Sequence, residues 1–338
     1  MPHGVSPQPL KILIAIQYYV PHRTGLTLHV QWVAEELARR GHEVTVLTAR
    51  YRLDLPRDEQ VINGVRVVRL WAPIRLSRGM LMPAYPWAAA ALIAQHDVMW
   101  VNTPLAETAL IAFLAEQFGK RTVVTHHGDL ILPRGLLNAA ITWGTYQVYA
   151  YLARRAGRII AYSHDYADDS YYLMPFRDKV SVIYPPVVIP EPQPERVAEL
   201  RRRWSPDGGP IIGYSGRFVH EKRPDLLIRS LDVINTRYSN ACIVFAGEYD
   251  IKYEDTWERH QPLVQTYQEQ LVFLGMIDDM QELANFYAAC DVFVLPSDTE
   301  CFALAQVEAM LCGAPVVMTD IRGGRVPVRE TGMGKLVP

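Results

Sequence analysis

The sequence predicts two α/β domains, each built on a parallel β-sheet with helices on both faces. Apolar, β-branched runs alternate with segments of helical period along the whole chain, which is the pattern of such sheets. A length of 338 residues exceeds one typical α/β core and fits two domains. Five prolines within residues 184–194 indicate a linker, so we place the domains at residues 1–185 and 186–338.

Short β-branched runs give the strand predictions. In the first half they lie at residues 10–16, 44–47, 65–70, 97–101, 122–125, 158–161 and 179–183. In the second half they lie at residues 211–214, 241–245, 271–274, 292–295 and 315–318.

The clearest helix is predicted to begin after Gly25. Its apolar stripe consists of Leu26, Val30, Val33, Ala34 and Leu37. Arg39 and Arg40 place positive charge at its C-terminus, and Gly41 is a typical helix stop. Further helices are predicted from residue 224, at 280–287 and at 302–312.

Charge and cysteine usage exclude several classes of protein. The net charge is −2 and the longest basic tract is Arg201 to Arg203, so we expect no nucleic-acid partner. The cysteines form neither a zinc motif nor a disulfide-dense scaffold; they are Cys242, Cys290, Cys301 and Cys312. Together with an N-terminus that lacks a signal-peptide pattern, this predicts a reducing, cytoplasmic location without a metal site.

The segment 135–153 carries no charge and approaches the length of a membrane span. It nevertheless contains amide and hydroxyl side chains and three tyrosines, which are costly in lipid. We therefore predict a buried or interfacial helix rather than a spanning one.

Four loops that follow predicted strands carry candidate ligand-binding side chains, because open parallel sheets bind ligands at that edge. The first, PHRTGLTLH at residues 21–29, combines Arg23 with Gly25, where the backbone could approach a phosphate closely. A glycine before a helix is also ordinary turn geometry, so both interpretations stay open.

The second loop, THHGDL at residues 125–130, directly follows a strand. His126 and His127 are placed where an imidazole can hydrogen-bond a reacting hydroxyl, and Asp129 lies in the same loop. The alternative is a solvated loop histidine, which the position after a strand disfavours.

The third loop, GYSGRFVHEK at residues 213–222, follows a strand and contains Arg217 and Lys222. Two fixed cations beside glycines suit a leaving diphosphate. A solvated Arg/Lys pair is the alternative, and the glycines favour the functional interpretation.

The fourth segment, PSDTECFALAQVEAMLCGAPVV at residues 296–317, is the most specific. Glu300 precedes a predicted helix and Glu308 lies two turns into it, which separates the carboxylates by about 12 Å. The N–H groups of Phe302, Ala303 and Leu304 form the predicted helix N-terminus, where a diphosphate could bind. One carboxylate would then bind sugar hydroxyls and the other a ribose, as a nucleotide sugar requires.

These segments resemble glycosyltransferase family 4. The resemblance covers nearly the whole chain and is carried by PHRTGLTLHVQWVAEELARRGHEVTVLT, by the GR and EK pairs of the third loop, and by DVFVLPSDTECFALAQVEAM and CGAPVVMTD. It implies the GT-B fold, in which two Rossmann-like domains with parallel sheets face each other across a cleft. It also implies metal-independent transfer of a sugar from a nucleotide diphosphate sugar, with retention of configuration. The sequence contains no DxD motif, which agrees with metal independence.

Carried over position by position, the resemblance assigns Arg217 and Lys222 to the diphosphate, Glu300 to the donor sugar and Glu308 to the ribose. His127 matches the active-site histidine that precedes a glycine in the family.

Two glycines of the family pattern are replaced. The glycine pair of the first loop is Thr24 and Gly25 here, and the glycine after Glu-x-Phe is Ala303. Family members also continue beyond the segment that matches the end of this sequence, so either the second domain is truncated at its C-terminus or domain closure is managed differently.

The resemblance places the acceptor, a glycan or lipid-linked glycan of the cell envelope, on the first domain. Residues 80–87 and 143–151 offer apolar surface there, which would allow peripheral contact with the inner face of a membrane. The alternative is that these residues belong to the hydrophobic core. Three other functions stay open: nucleotide-sugar epimerisation, phosphorolysis, and non-catalytic binding of a sugar nucleotide.

Overall fold

The computed structural model describes residues 8–76, 79–130, 135–251 and 254–338. The chain divides into two compact units, Met1–Pro186 (unit 1) and Val187–Pro338 (unit 2). This division lies one residue from the predicted domain boundary, within the proline-rich segment. The prediction that no leader precedes the first strand concerns residues that lie largely outside the described ranges.

Unit 1 is an α/β unit. Its strands are β1 (Lys11–Ala15), β2 (Glu43–Arg50), β3 (Gln60–Ile62), β4 (Val65–Trp71), β5 (Ile74–Leu76), β6 (Gly79–Leu81), β7 (Val98–Thr103), β8 (Arg121–His126), β9 (Arg158–Ala161) and β10 (Val180–Val182). Its helices are α1 (Gly25–Arg39), α2 (Tyr85–Gln95), α3 (Thr108–Gln117), α4 (Leu136–Arg155) and α5 (His164–Ala167).

Eight of these described strands form one sheet, in the order β10-β9-β8-β7-β1-β2-β4-β3. All its pairings are parallel except the edge pairing of β3 with β4. Because β1 lies inside the sheet, it is buried on both faces, and this explains its uninterrupted apolar sequence. Helix α1 packs Val30 and Ala34 against this sheet.

Unit 2 has the same architecture. Its strands are β11 (Ile211–Ser215), β12 (Cys242–Ala246), β13 (Leu271–Gly275), β14 (Val292–Leu295), β15 (Val316–Thr319) and β16 (Gly334–Val337). Its helices are α6 (Pro194–Trp204), α7 (Pro224–Arg229), α8 (Leu231–Ile234), α9 (Thr256–Arg259), α10 (Gln261–Thr266), α11 (Met280–Ala289), α12 (Leu304–Leu311) and α13 (Val326–Thr331). The strands form a parallel sheet in the order β13-β12-β11-β14-β15-β16.

The twelve predicted strands are all present, with ends that shift by at most three residues. The sequence interpretation missed the short strands β3, β5, β6 and β16, because three or four residues show too little periodicity. It was also wrong about the start of two helices. Helix α1 begins at Gly25 itself, and α12 begins at Leu304 rather than at 302.

Helix α4 contains most of the uncharged segment. Its side chains divide between the interior and the surface: Tyr146 and Tyr149 are buried, whereas Trp143 is 66% exposed. No helix among the described residues combines the length and apolarity needed to cross a bilayer.

Candidate functional site

In both units, the predicted site residues lie just beyond the carboxyl ends of parallel strands. His127 follows β8 in unit 1, while Arg217 follows β11 and Glu300 follows β14 in unit 2. This is the edge where loops and helix N-termini make ligand sites in open parallel sheets.

His127 is held through both of its ring nitrogens. Nε2 lies 2.9 Å from Oδ1 of Asn102, and Nδ1 lies 2.5 Å from the hydroxyl of Tyr162. An amide oxygen only accepts, so Nε2–H donates to Asn102 and the Tyr162 hydroxyl donates to Nδ1. Burial, with the nearby rings of His29 and His126, places the pKa of His127 well below its usual value. The imidazole is therefore neutral and suited to hydrogen bonding with hydroxyls.

His29, on the second turn of α1, completes this group. Its ring centroid lies 5.3 Å from that of His127 and 5.2 Å from that of Tyr162, and burial lowers its pKa to about 4. The sequence interpretation did not single out His29 as a site residue. The sequence did offer one signal that this histidine is buried, namely its position beside Val30 in the apolar stripe of the helix. We call His29, Asn102, His127 and Tyr162 the histidine cluster.

His126 and Asp129 bind each other inside unit 1. Nε2 of His126 donates to Oδ1 of Asp129 at 3.0 Å, and Nδ1 lies 2.9 Å from the Thr103 hydroxyl. Asp129 also accepts from the Ser170 hydroxyl at 2.9 Å and from the Tyr171 amide at 3.1 Å. Burial favours the neutral acid, but these bonds outweigh it and lower the pKa of Asp129. In this structure Asp129 therefore braces the loop that carries His127, and its binding of substrate stays a prediction.

The first loop ends in a capped helix. The Thr24 hydroxyl accepts from the amide of Thr27, and the Thr24 amide donates to the Thr27 hydroxyl at 2.8 Å. Gly25 is consequently the first residue of α1. Its amide lies at the positive end of the helix dipole, which favours an anion.

In unit 2, Lys222 and Glu300 form an ion pair. Nζ of Lys222 donates to Oε1 of Glu300 at 2.5 Å, and the Ser297 hydroxyl donates to the same oxygen at 2.9 Å. The carboxylate side chain is only 9% exposed. The structure thus brings together two residues that lie 78 positions apart and that the sequence had assigned to neighbouring parts of one ligand.

Arg217 lies in the same loop as Lys222. Its guanidinium is 3.6 Å from the carboxylate of Glu221, and its carbonyl accepts from the Tyr214 hydroxyl at 3.0 Å. The carbonyl of Glu221 accepts from the Asp298 amide at 2.9 Å, which ties this loop to the segment before Glu300. Sequence reasoning did not single out Tyr214 or Ser297, since a tyrosine in a strand and a serine in a loop carry no spacing signal.

Glu308 is buried in α12, with 6% of its surface exposed. The hydroxyl of Tyr287, on α11, donates to its Oε2 at 2.7 Å. Burial and the neighbouring Glu308 raise the pKa of Tyr287 well above its usual value, so the phenol keeps its proton and remains a donor. The sequence did not identify Tyr287, because its partner lies on another helix.

The turn before α12 differs from the prediction. Ala303 has φ 57° and ψ 74°, in the left-handed region, and Phe302 is buried. The amides of Phe302 and Ala303 therefore precede the helix, and only Leu304 begins it. The Gln306 side chain secures the turn by donating to the carbonyls of Phe302 and Gly324 at 3.1 and 2.6 Å.

Within the described ranges, no group of three His, Cys, Asp or Glu side chains could hold a metal ion. Independence from a metal stays a prediction.

Family models match both units of the chain. The family model "Glycosyl transferase 4-like domain" matches residues 24–186, and "Glycosyl transferases group 1" matches residues 197–338. A GDP-mannose-dependent alpha-mannosyltransferase of Mycobacterium tuberculosis is 28% identical over 97% of this chain and 84% of its own length. A D-inositol 3-phosphate glycosyltransferase of Frankia alni is 28% identical over 93% of this chain and 82% of its own.

Among solved structures, Anabaena HepE in complex with UDP and glucose superposes with a TM-score of 0.75 at 20% identity. The match covers 97% of this chain and 85% of that protein. This likeness shows the GT-B fold, with two Rossmann-like units. The family models and the curated relatives show that the protein is a glycosyltransferase, an enzyme that transfers a sugar from a nucleotide sugar. Because family models match both units, the chain belongs to glycosyltransferase family 4.

Proposed function

We propose that this enzyme is a retaining, metal-independent glycosyltransferase that moves a hexose from a nucleotide diphosphate sugar to a hydroxyl of a cell-envelope glycan or lipid-linked acceptor. The observation that carries the donor half is the Lys222–Glu300 ion pair at the carboxyl edge of unit 2. A cation that suits a diphosphate lies beside a carboxylate that suits sugar hydroxyls, and this supports a donor that joins both groups.

Each site residue has a role in this proposal. Arg217 and Lys222 stabilise the charge that develops on the leaving diphosphate, with help from the amides around Leu304. Glu308, fixed by Tyr287, binds the ribose. His127 orients hydroxyls as a neutral imidazole. As the bond between the anomeric carbon and the diphosphate breaks, the acceptor oxygen bonds to the same face of that carbon and gives its proton to a phosphate oxygen of the leaving diphosphate.

The acceptor half rests on the surface of unit 1. Trp87 at the start of α2 is 75% exposed, and the paired residues Ile74 and Leu81 of the β5–β6 hairpin are 48% and 45% exposed. Apolar side chains of this kind favour an acceptor with a lipid portion, and peripheral contact with a membrane. Met82 and Tyr85 of the same segment are buried, so the segment contributes to the core as well.

Donor binding is the first test. GDP-mannose, which the mycobacterial relative uses, and UDP-glucose are titrated calorimetrically in the presence of EDTA. We expect binding of one of them without metal, and its loss in the Arg217→Ala variant. Turnover with acceptor and none without it distinguishes transfer from epimerisation. Binding that is never accompanied by transfer to a broad panel of acceptors would show a non-catalytic protein.

A further inference from the structure

The histidine cluster contains three rings in mutual contact. The ring centroids of His29, His127 and Tyr162 lie between 5.2 and 5.4 Å apart, so each ring touches the other two. Both nitrogens of His127 have partners, whereas Nδ1 of His29 is buried and has no hydrogen-bond partner among the described residues. The Tyr162 ring therefore packs against one imidazole that its hydroxyl satisfies and another whose unused nitrogen lies beyond hydrogen-bond distance of that hydroxyl in this structure.

This arrangement limits what His127 can do. A neutral imidazole offers one N–H and one lone pair, and in His127 these are used by Asn102 and Tyr162. To accept a hydrogen bond from a substrate hydroxyl, Nδ1 must first release the Tyr162 hydroxyl. A buried hydroxyl that loses its acceptor is costly unless another acceptor is within reach.

His29 can become such an acceptor if the Tyr162 side chain shifts towards it. It is 4% exposed and packs edge-on against Tyr162, with an interplanar angle of 60°. We propose that His29 is a positioning residue for His127: it accepts the Tyr162 hydroxyl when a sugar hydroxyl takes Nδ1 of His127. The inference rests on the proposed function, in which His127 binds sugar hydroxyls.

The neutral protonation state of His29 supports this exchange. Burial holds His29 in its neutral form at physiological pH, since its pKa is lowered to about 4. A neutral ring keeps a lone pair on one nitrogen, and that lone pair can accept from a phenol. No proton leaves the cluster in the exchange, because the phenol moves to its new acceptor with its O–H bond intact.

Binding measurements on His29→Phe test the proposal. Phenylalanine keeps an aromatic ring in the cluster but removes the acceptor, so Tyr162 competes with the sugar for His127. We expect the affinity for GDP-mannose or UDP-glucose, whichever binds, to fall about tenfold. The affinity for the corresponding nucleoside diphosphate, which lacks the sugar, should not change.

The double variant His29→Phe with Tyr162→Phe is the sharper test. Without the hydroxyl there is nothing to relocate, so the second substitution should restore the affinity that the first one removes. Tyr162→Phe alone should bind the nucleotide sugar more tightly than the wild type. The result for Tyr162→Phe does not depend on the His29 variant being well folded.

A second buried histidine serves as the control. His96 hydrogen-bonds the carbonyl of Leu92 and the hydroxyl of Thr45, and it precedes β7 at the opposite edge of the sheet. His96→Phe should leave the affinity for nucleotide sugar unchanged. If His29→Phe lowered the affinity for nucleotide sugar equally in the wild-type and the Tyr162→Phe backgrounds, the inference would be overturned and the proposed function would remain intact. A wild-type protein that binds no nucleotide sugar would overturn both.

Discussion

Lys222 donates to an oxygen of Glu300 that also accepts from Ser297, so one carboxylate oxygen carries two donors. The Lys222 side chain is 22% exposed and that of Glu300 is 9% exposed. Removing only one partner of a pair this buried destabilises the protein, because the other charge remains without compensation. Lys222 therefore stabilises the position of Glu300 in addition to its proposed contact with the diphosphate.

Lys222→Ala is expected to lower kcat with the accepted donor by about a hundredfold or more, because a positioned charge is lost where negative charge develops. Steady-state kinetics measure this. Arg259→Ala, which breaks an exposed ion pair with Asp255 in the same unit, is the control and should retain activity. Wild-type turnover in Lys222→Ala would remove this residue from the site.

Tyr287→Phe is expected to weaken nucleotide binding about tenfold or more, since hydrogen bonds to charged groups contribute about 1.5–3 kcal/mol. The substitution removes the 2.7 Å bond that fixes Glu308. Calorimetry with GDP and 2′-deoxy-GDP, or with UDP and 2′-deoxy-UDP, shows whether the effect of Tyr287 depends on the ribose 2′-hydroxyl. If Glu308 binds the ribose, the loss should be smaller for the deoxynucleotide. An equal loss for both would mean that Tyr287 does not act through the ribose 2′-hydroxyl.

The fold could be predicted because its signals are local. Buried parallel strands such as β1 and β12 are largely apolar runs, and the apolar stripe of α1 repeats within one segment. The short strands β5 and β6 gave no such signal. Their pairing depends on contacts across a hairpin, where Ile74 lies opposite Leu81.

The candidate site could be predicted only in part, for a related reason. The loops at strand ends identified Lys222 and Glu300 separately, but their contact is a tertiary relation across 78 residues. The residues that fix the site, such as Tyr287 for Glu308 and Tyr162 for His127, lie on other elements with no spacing relation to their partners. Asp129 shows that a loop position can also mislead. Its position suggested contact with a substrate, but its carboxylate accepts hydrogen bonds from within unit 1.

Ala303→Gly is expected to stabilise the protein by about 1 kcal/mol or less, because a side chain in the left-handed region costs about 1–2 kcal/mol and glycine partly offsets this through chain entropy. Ala303 has φ 57°. Thermal unfolding should show a rise of about 2–4 °C per kcal/mol. Ala305→Gly, inside α12, is the matched control and should be destabilising, as glycine is in helix interiors. A lower Tm for Ala303→Gly would contradict this account.

The free energy of unfolding is expected to rise with pH between about 4 and 6.5, because burial lowers the pKa of His29 from 6.5 to about 4. In that interval the unfolded chain holds a proton on this histidine that the folded chain does not, so acid favours unfolding. The contribution is fully present above 6.5 and is lost as the pH falls towards 4. His127 acts in the same direction.

Urea denaturation across this range measures the effect. His29→Phe removes one titrating group, so its stability should depend on pH less steeply, by at most about 1.4 kcal/mol per pH unit. Val33→Ala on the same helix is the control, because it weakens packing without removing a titrating group and should keep the wild-type slope. If the slope of His29→Phe equalled that of the wild type, His29 would have to be protonated equally in both states. Its burial would then not impose the neutral form on which its role beside His127 depends.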